Sequence, residues 1–283
     1  MKRLMRAAVS DLAYQARRLT GRAGGGLRVL MYHRVTDAHP GYRLCVPVKN
    51  FEAQMRWLRE HGYQTMTFAQ AVEWVQGGGT GNEIRGTKAL NTAVSRFPFP
   101  VSRPVVLTFD DGFEDNFLQA YPAMARHGFT GCFFAPSAFI QAGVDGHPAA
   151  DRPMSWAQLQ ELVRMGHEVG AHSVSHAELT TIPADAMRHE VRDCKGALEQ
   201  GLGRPVEFFC YPRGDYDAAV RQAVVDAGYR GACSVEPGAN GLGTDPYALH
   251  RTEISAVDTL WDFEKKLGGG FDWLHAKIQQ VGA

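Results

Sequence analysis

Leu107-Thr108-Phe109-Asp110-Asp111-Gly112 is the stretch whose reading decides the fold. Val105, Val106 and Leu107 begin an apolar, β-branched run that Thr108 and Phe109 prolong, the pattern of a buried strand. The run stops at two adjacent carboxylates and a glycine. Like charges at the end of a buried strand repel, and each needs a partner. A metal ion relieves that conflict, and so does a proton on one carboxylate. An Asp-Gly turn with both carboxylates in water avoids it. The stretch alone leaves these readings open.

Downstream, strands and helices alternate. Residues 116–127 read as a helix closed by Gly128, and 130–135 (T-G-C-F-F-A) as a strand. Ser155 is an N-cap for a helix over 156–165, ended by Gly166. Residues 167–171 form a strand, and Pro183 opens a helix to about Leu202. Strands over 206–210 and 231–235 flank a helix over 218–227. Upstream, 27–32 is a strand, with helices over 51–61 and 68–76. This alternation means βαβ units around a parallel sheet, whose ligand sites lie at the strands' carboxyl ends. The polar groups at those ends are His33, Asp110-Asp111, His172 with His176, and the Tyr211-Pro212-Arg213-Gly214 turn.

Composition sets the outer bounds. With 283 residues, 45% of them hydrophobic and 21% charged, the chain is globular and fills one large domain or two small ones. Zero net charge removes the global case for nucleic acid as a partner. Five cysteines without a C-x-x-C pair point to a reducing compartment. No apolar run approaches the ~20 residues of a membrane span.

Residues 1–22 carry Leu4, Met5, Ala8, Val9, Leu12, Ala16 and Leu19 on a helical stripe. Lys2, Arg3, Arg6, Arg17, Arg18 and Arg22 face the single acid Asp11, and no signal-peptide pattern is present. One reading is a basic amphipathic helix on an anionic membrane surface. The other is a helix docked on its own domain, or a frayed tail. Glycines 24–26 form a hinge. Residues 77–103 are too long for a passive connection and read as an insertion, with Phe97-Pro98-Phe99-Pro100 inside it. The expected layout is a segment over 1–26, one catalytic domain over 27–258 and a helical tail over 259–283.

His172 and His176 stand four apart, and on a helical turn they face the same way. Two histidines and one carboxylate form a ligand set for a catalytic zinc with open positions, or for iron. The second carboxylate is then free to take a proton from water activated by the ion.

Thr108-Phe109-Asp110-Asp111-Gly112, then His172-Ser-x-x-His176, then Tyr211-Pro212-x-Gly214 resembles the polysaccharide deacetylase family, carbohydrate esterase family 4. Leu30-Met31-Tyr32-His33-Arg34-Val35 resembles the subgroup that includes poly-N-acetylglucosamine deacetylases. The resemblance implies an α/β fold, a distorted (β/α) barrel with about seven parallel strands. It implies Asp110 as general base and Asp111, His172 and His176 as ligands of one divalent metal, usually Zn2+. The backbone N–H of Tyr211 becomes the oxyanion donor and His33 the general acid, with His250 as the rival acid. Arg213 and Trp156 are the candidate substrate contacts. Two departures stand out. Cys210 occupies the place of an arginine that pairs with the base in many members, and Arg213 stands where relatives often have an aromatic residue.

The expected activity is metal-dependent removal of an N-acetyl or similar short acyl group from an amino sugar in a polymer, oligomer or glycolipid. Alternatives are a deformylase or amidase acting on a lipid-linked sugar or another amide, and a catalytically silent carbohydrate-binding module. Expected partners are the N-acetylated sugar and no nucleic acid, with peripheral membrane contact through residues 1–22 as an option. The expected location is the cytoplasm or the inner membrane face, with export as the alternative.

Overall fold

The computed structural model describes residues 11, 14, 15, 26–77, 103–142 and 148–272. Glycines 24 and 25, most of the basic segment, most of the insertion with Phe97-Pro98-Phe99-Pro100, and tail residues 273–283 lie outside the described residues.

The β-branched and aromatic runs form short strands. They are β1 (Arg28–Tyr32), β2 (Arg34–Val35), β3 (Cys45–Val46), β4 (Gln64–Thr65), β5 (Pro104–Phe109), β6 (Cys132–Ala135), β7 (Glu168–Ala171), β8 (Phe208–Cys210), β9 (Gly231–Cys233) and β10 (Thr252–Glu253). Between them run α1 (Val48–Glu60), α2 (Phe68–Val75), α3 (Tyr121–Ala125), α4 (Ser137–Ala142), α5 (Trp156–Arg164), α6 (Ala184–Leu202), α7 (Ala218–Asp226) and α8 (Leu260–Leu267). Thr67, Ser155 and Thr259 each close a capping box at their helix starts, and Asp217 caps α7 through Val220 N–H.

The main sheet runs β10-β1-β5-β6-β7-β8-β9, with β4 also on β5, and every pairing is parallel. These seven strands curl into a distorted (β/α) barrel in a single domain, as the motifs implied. Residues 249–253 form its seam. Leu249 bridges Cys233 at one edge, and Thr252 pairs with Leu30 at the other.

Alternation along each strand separates two cores. Val105, Leu107 and Phe109 face an outer layer of α1, α3, α5, α6 and α7. Val106, Cys132, Phe134, Phe208, Cys210 and Cys233 face the inside of the curl, which α2 plugs with Phe68, Val72 and Val75. By the same alternation Thr108 and Asp110 point inward. Packing alone therefore carries the Asp110 carboxylate to the mouth of the barrel.

Two expected elements differ in detail. The helix expected over 116–127 begins as a wide turn, Asn116–Ala120, in which Tyr121 N–H reaches Asn116 O. Pro122, lacking an N–H, follows at the start of α3. The strand expected from Val206 begins at Phe208, because Val206 N–H is taken by Glu199 Oε1 at 3.0 Å.

Glu168 supports the plug from β7. Its carboxylate accepts from the N–H groups of Phe68 and Ala69 at the start of α2. Burial nevertheless raises its pKa to about 7, against the pull of those bonds. The folded state then holds this proton between the ordinary carboxylate range and pH 7, while the unfolded chain has lost it. Stability must fall as pH rises through that window. Glu168→Gln keeps an acceptor and removes the titration. Urea unfolding from pH 5 to 8 should show a decline in wild type that is flattened in this variant.

Candidate active site

Asp110 ends β5 with its carboxylate only 1% exposed. Its N–H donates to Tyr32 O at 3.0 Å, locking it beside β1. The charge is met by Arg251, which is fully buried and donates from its two terminal nitrogens to Oδ1 at 2.7 Å and Oδ2 at 2.8 Å. The same guanidinium donates to Ser234 O at 2.7 Å, Thr108 Oγ1 at 3.2 Å and Cys210 Sγ at 3.1 Å. Burial pushes the Asp110 carboxyl up, but Arg251 overrides it and holds the group well below the usual carboxylate range. Asp110 is thus ionised at neutral pH. Cys210, where the resemblance led us to expect an arginine, flanks this pair, its Sγ 3.6 Å from Asp110 Oδ2. The cation arrives instead from the seam, 41 residues later in the chain.

Asp111 turns the other way. It and Gly112 take consecutive left-handed conformations, φ 71° and 69°, so the carboxylates of Asp110 and Asp111 diverge. A side chain on Gly112 would also press on Ala135 Cβ at 3.2 Å. Oδ1 of Asp111 is buried without a hydrogen-bond partner and lies 3.5 Å from Nε2 of both His172 and His176. The two histidines do not converge through a helical turn, as their spacing suggested. Ser173 (φ 60°) and His176 (φ 61°) are left-handed, and the loop folds back on itself. The Nδ1 of His172 donates to Cys210 O at 2.7 Å, which leaves its Nε2 lone pair facing Asp111.

These atoms fit a metal ion. One donor from each of Asp111, His172 and His176 lies within 4.8 Å of the others, and a second overlapping set is Asp110, His172 and Cys210. Burial disfavours charge on Asp111 and on His172. Even so, contact with His172 lowers the Asp111 pKa, and the acceptors around His172, among them Asp111, raise its own. Burial and the neighbouring His172 hold His176 down, so only one imidazole readily takes a proton. The centre attracts positive charge that two imidazolium rings cannot both supply, and a divalent cation can.

His33 lies across the mouth, its Nε2 4.0 Å from Asp110 Oδ2, and Asn116 fixes its carbonyl at 3.0 Å. His33 and Asp111 line a cleft of about 300 Å³ with Arg34, His39, Tyr42, Leu44, Phe113 and Asp151. Arg34 builds its floor, bridging Asp115 at 2.8 Å and Asp151 at 2.6 Å while its guanidinium lies over the Phe113 ring. Among these, His39, Tyr42, Leu44, Phe113 and Asp151 were not picked out by motif reading, because it is the folding of the chain around the small β2–β3 sheet that brings them beside His33 and Asp111.

Other expected residues move away. Extended backbone puts neighbours on opposite faces, so with Arg251 inward His250 faces outward, 3.6 Å from Glu236. Trp156 packs across Gly201 in α6 and does not line the cleft. The N–H of Tyr211 is engaged by Cys233 O at 3.2 Å, which corrects its expected role as oxyanion donor. Pro212 has no N–H, and those of Gly214 and Asp215 bond back within the turn. Among the described residues none accepts the N–H of Arg213, itself left-handed at φ 57°. Its exposed side chain pairs with Glu178 at 2.5 Å.

The fold and this cluster define a parallel barrel with a metal-type centre beside a buried, ionised carboxylate. A family model described as Polysaccharide deacetylase matches residues 100–232. Over 229 residues the chain is 29% identical to YxkH of Bacillus subtilis (strain 168), whose provisional name is polysaccharide deacetylase. That alignment covers 81% of this chain and 71% of YxkH. Over 147 residues it is 26% identical to the poly-β-1,6-N-acetyl-D-glucosamine N-deacetylase of Escherichia coli (strain K12), covering 49% of this chain and 19% of the other. In fold, it matches the Streptococcus pyogenes deacetylase PplD, solved in complex with acetate. The TM-score is 0.71 at 20% identity, over 86% of this chain and 98% of that one. Residues 100–232 thus carry the polysaccharide deacetylase pattern, and the alignment with YxkH extends the similarity over most of the chain.

Arg251 lies outside the matched stretch, so its weight needs a direct test. Arg251→Met strands a buried carboxylate, and loss of one partner from a buried pair costs about 3–5 kcal/mol. The remaining burial then raises the Asp110 pKa. A fall in melting temperature should accompany a shift of the acid limb of kcat/KM to higher pH, with Arg251→Lys intermediate in both.

Proposed function

We propose that this protein is a metal-dependent hydrolase that removes an N-acetyl group from an amino sugar within an oligosaccharide, polysaccharide or glycoconjugate. The observation that carries the reading is the pairing of a permanently charged Asp110 with the Asp111, His172 and His176 triad at one barrel mouth. Asp111, His172 and His176 would hold the ion, zinc by its ligand set. When bound, the ion supplies Lewis acidity toward water and the amide carbonyl.

The chain's own groups then divide the work. Asp110 accepts the proton of the attacking water while Arg251 keeps the carboxylate aimed and ionised. Oxygen adds to the amide carbon, and the N–H of Arg213 donates to the resulting oxyanion. His33 stands 4.0 Å from Asp110 and gives its proton to the nitrogen as the C–N bond breaks. Acetate and the free amine leave. A cleft of about 300 Å³ suits one sugar ring with its acyl group. The exposed Tyr42 ring gives that sugar an apolar face.

Metal content and acetate release from N-acetylglucosamine oligomers test this reading together. Asp110→Asn should lower kcat by about 10²–10⁴-fold while retaining the metal, as expected for loss of a general base. His172→Ala should lose metal and activity together. Wild-type turnover in Asp110→Asn would overturn the assignment.

A further inference from the structure

We propose that Asp151 selects the charge of the sugar. One oxygen of its carboxylate accepts hydroxyls from an uncharged ring in the cleft, and the same charge excludes rings that carry a sulfate, a phosphate or a carboxyalkyl ether. Asp151 lines the cleft together with His33 and Asp111, so it meets whatever ring lies beside the reacting centre. Its side chain is 38% exposed. Arg34 donates to its Oδ1 at 2.6 Å, and the Nε2 of His39 donates to the same oxygen at 2.7 Å. Among the described residues nothing donates to Oδ2. The bonds from Arg34 and His39 hold the carboxyl below its ordinary range. The cleft therefore carries a fixed negative charge with one acceptor oxygen to spare, the kind of polar group that orients a ligand in a pocket.

No cationic side chain of the cleft answers an anion placed against that oxygen. Arg34 is the permanent cation among the described lining residues, and it is only 6% exposed and already engaged. Its Nε donates to Asp115 Oδ2 at 2.8 Å, its second terminal nitrogen donates to Ala150 O, and its flat face lies 4.1 Å from the centroid of the Phe113 ring. The carboxylates of Asp115 and Asp151 together outweigh its single charge. Arg43 pairs with Glu253 at 2.7 Å and Arg213 pairs with Glu178, and neither they nor Arg152 line the cleft. Like charges brought together across such a contact are costly, whereas a hydroxyl donates to the free oxygen at no such cost. The wall is also fixed before the sugar arrives. His39-Pro40-Gly41-Tyr42 closes a turn through Tyr42 N–H to His39 O at 3.2 Å, with Gly41 at φ 86°, the positive angle that a type II turn reserves for glycine after proline. The turn holds His39 against Asp151 and presents the exposed Tyr42 ring in the same cleft. A sugar thus finds its acceptor and an apolar face without any loop having to order first.

The choice of an N-acetylated sugar rests on the deacetylase reading, but the selection by charge does not. The whole chain, loaded with zinc, is titrated with an N-acetylglucosamine oligomer and with the same oligomer sulfated at every 6-hydroxyl. Ligand-observed NMR follows binding, and acetate release follows turnover. Wild type should bind the neutral oligomer at least about tenfold more tightly than the sulfated one, the factor for one hydrogen bond to a charged group. High salt should narrow that ratio, because a partly exposed charge is screened. Asp151→Asn should bind the neutral oligomer several-fold less tightly and the sulfated one more tightly. Its loss on the neutral oligomer should appear in KM rather than kcat, since Asp151 orients the ring and does not touch the amide. If this variant does not fold, the salt titration of wild type decides alone. Equal wild-type affinities, or binding of neither oligomer, overturn the proposal. So does discrimination that survives the substitution or the salt, since the sulfates are then excluded by their size. Wild type that binds the neutral oligomer selectively but releases no acetate refutes the deacetylase reading and leaves the role of Asp151 intact.

Discussion

The buried bridge between Arg251 and Asp110 is the constraint on which the rest of the mouth depends. Neither group tolerates that position alone, since each would be an unpaired charge inside the barrel. Together they make two parallel hydrogen bonds, and Arg251 uses its remaining donors on Ser234, Thr108 and Cys210. Those partners lie on or beside β5, β8 and β9, while Arg251 itself stands just before β10. One guanidinium therefore ties together strands from both edges of the curled sheet. The contact that sets the ionisation of Asp110 is also the contact that closes the barrel.

The neighbouring centre is built by strained backbone. Asp111, Ser173, His176 and Arg213 are the four described non-glycine residues with positive φ, and all lie at or beside this mouth. Such conformations cost about 1–3 kcal/mol each and persist only where the surroundings impose them. Here the surroundings do so. Asp110 is fixed to Tyr32, the Ser173 carbonyl holds Ser137 N–H, and Val174 N–H is held by Glu190 O. The strain turns three donors toward one point that they would not share in relaxed loops. An ion bound there would stabilise a geometry that the chain otherwise maintains against its own torsional preferences.

Much of this was legible in the residues. The run from Val105 to Phe109, the glycine stops and the capping serine at 155 mark strands and helices because burial and capping act locally. The Asp-Asp and His-x-x-x-His patterns name donors, because carboxylate oxygens and imidazole nitrogens are ready ligands for a divalent ion. What could not be read was set by distant partners. Arg251 looks like any arginine in Leu249-His250-Arg251 until the seam makes it face inward and His250 outward. The N–H of Tyr211 looks available until β9 supplies the carbonyl of Cys233. Spacing suggested a helical turn for the histidines, yet two left-handed residues achieve the same convergence by another route.

The arginine's new position also changes what the centre can tolerate. A guanidinium at position 210, next in sequence to the Tyr211–Gly214 turn, would couple Asp110 to that turn. Here Cys210 fills that place with a buried thiol, and the cation stands just before the last strand. Movements of the Tyr211–Gly214 turn are thereby mechanically separated from the group that holds Asp110. The turn can adjust around Arg213 and its Glu178 partner without releasing Asp110. Movements of the seam cannot, because the same backbone carries Arg251, pairs with β1, and leads through Ala256 and Val257 into α8. The Asp110 carboxylate is thus mechanically continuous with the seam and with α8, and insulated from the Tyr211–Gly214 turn.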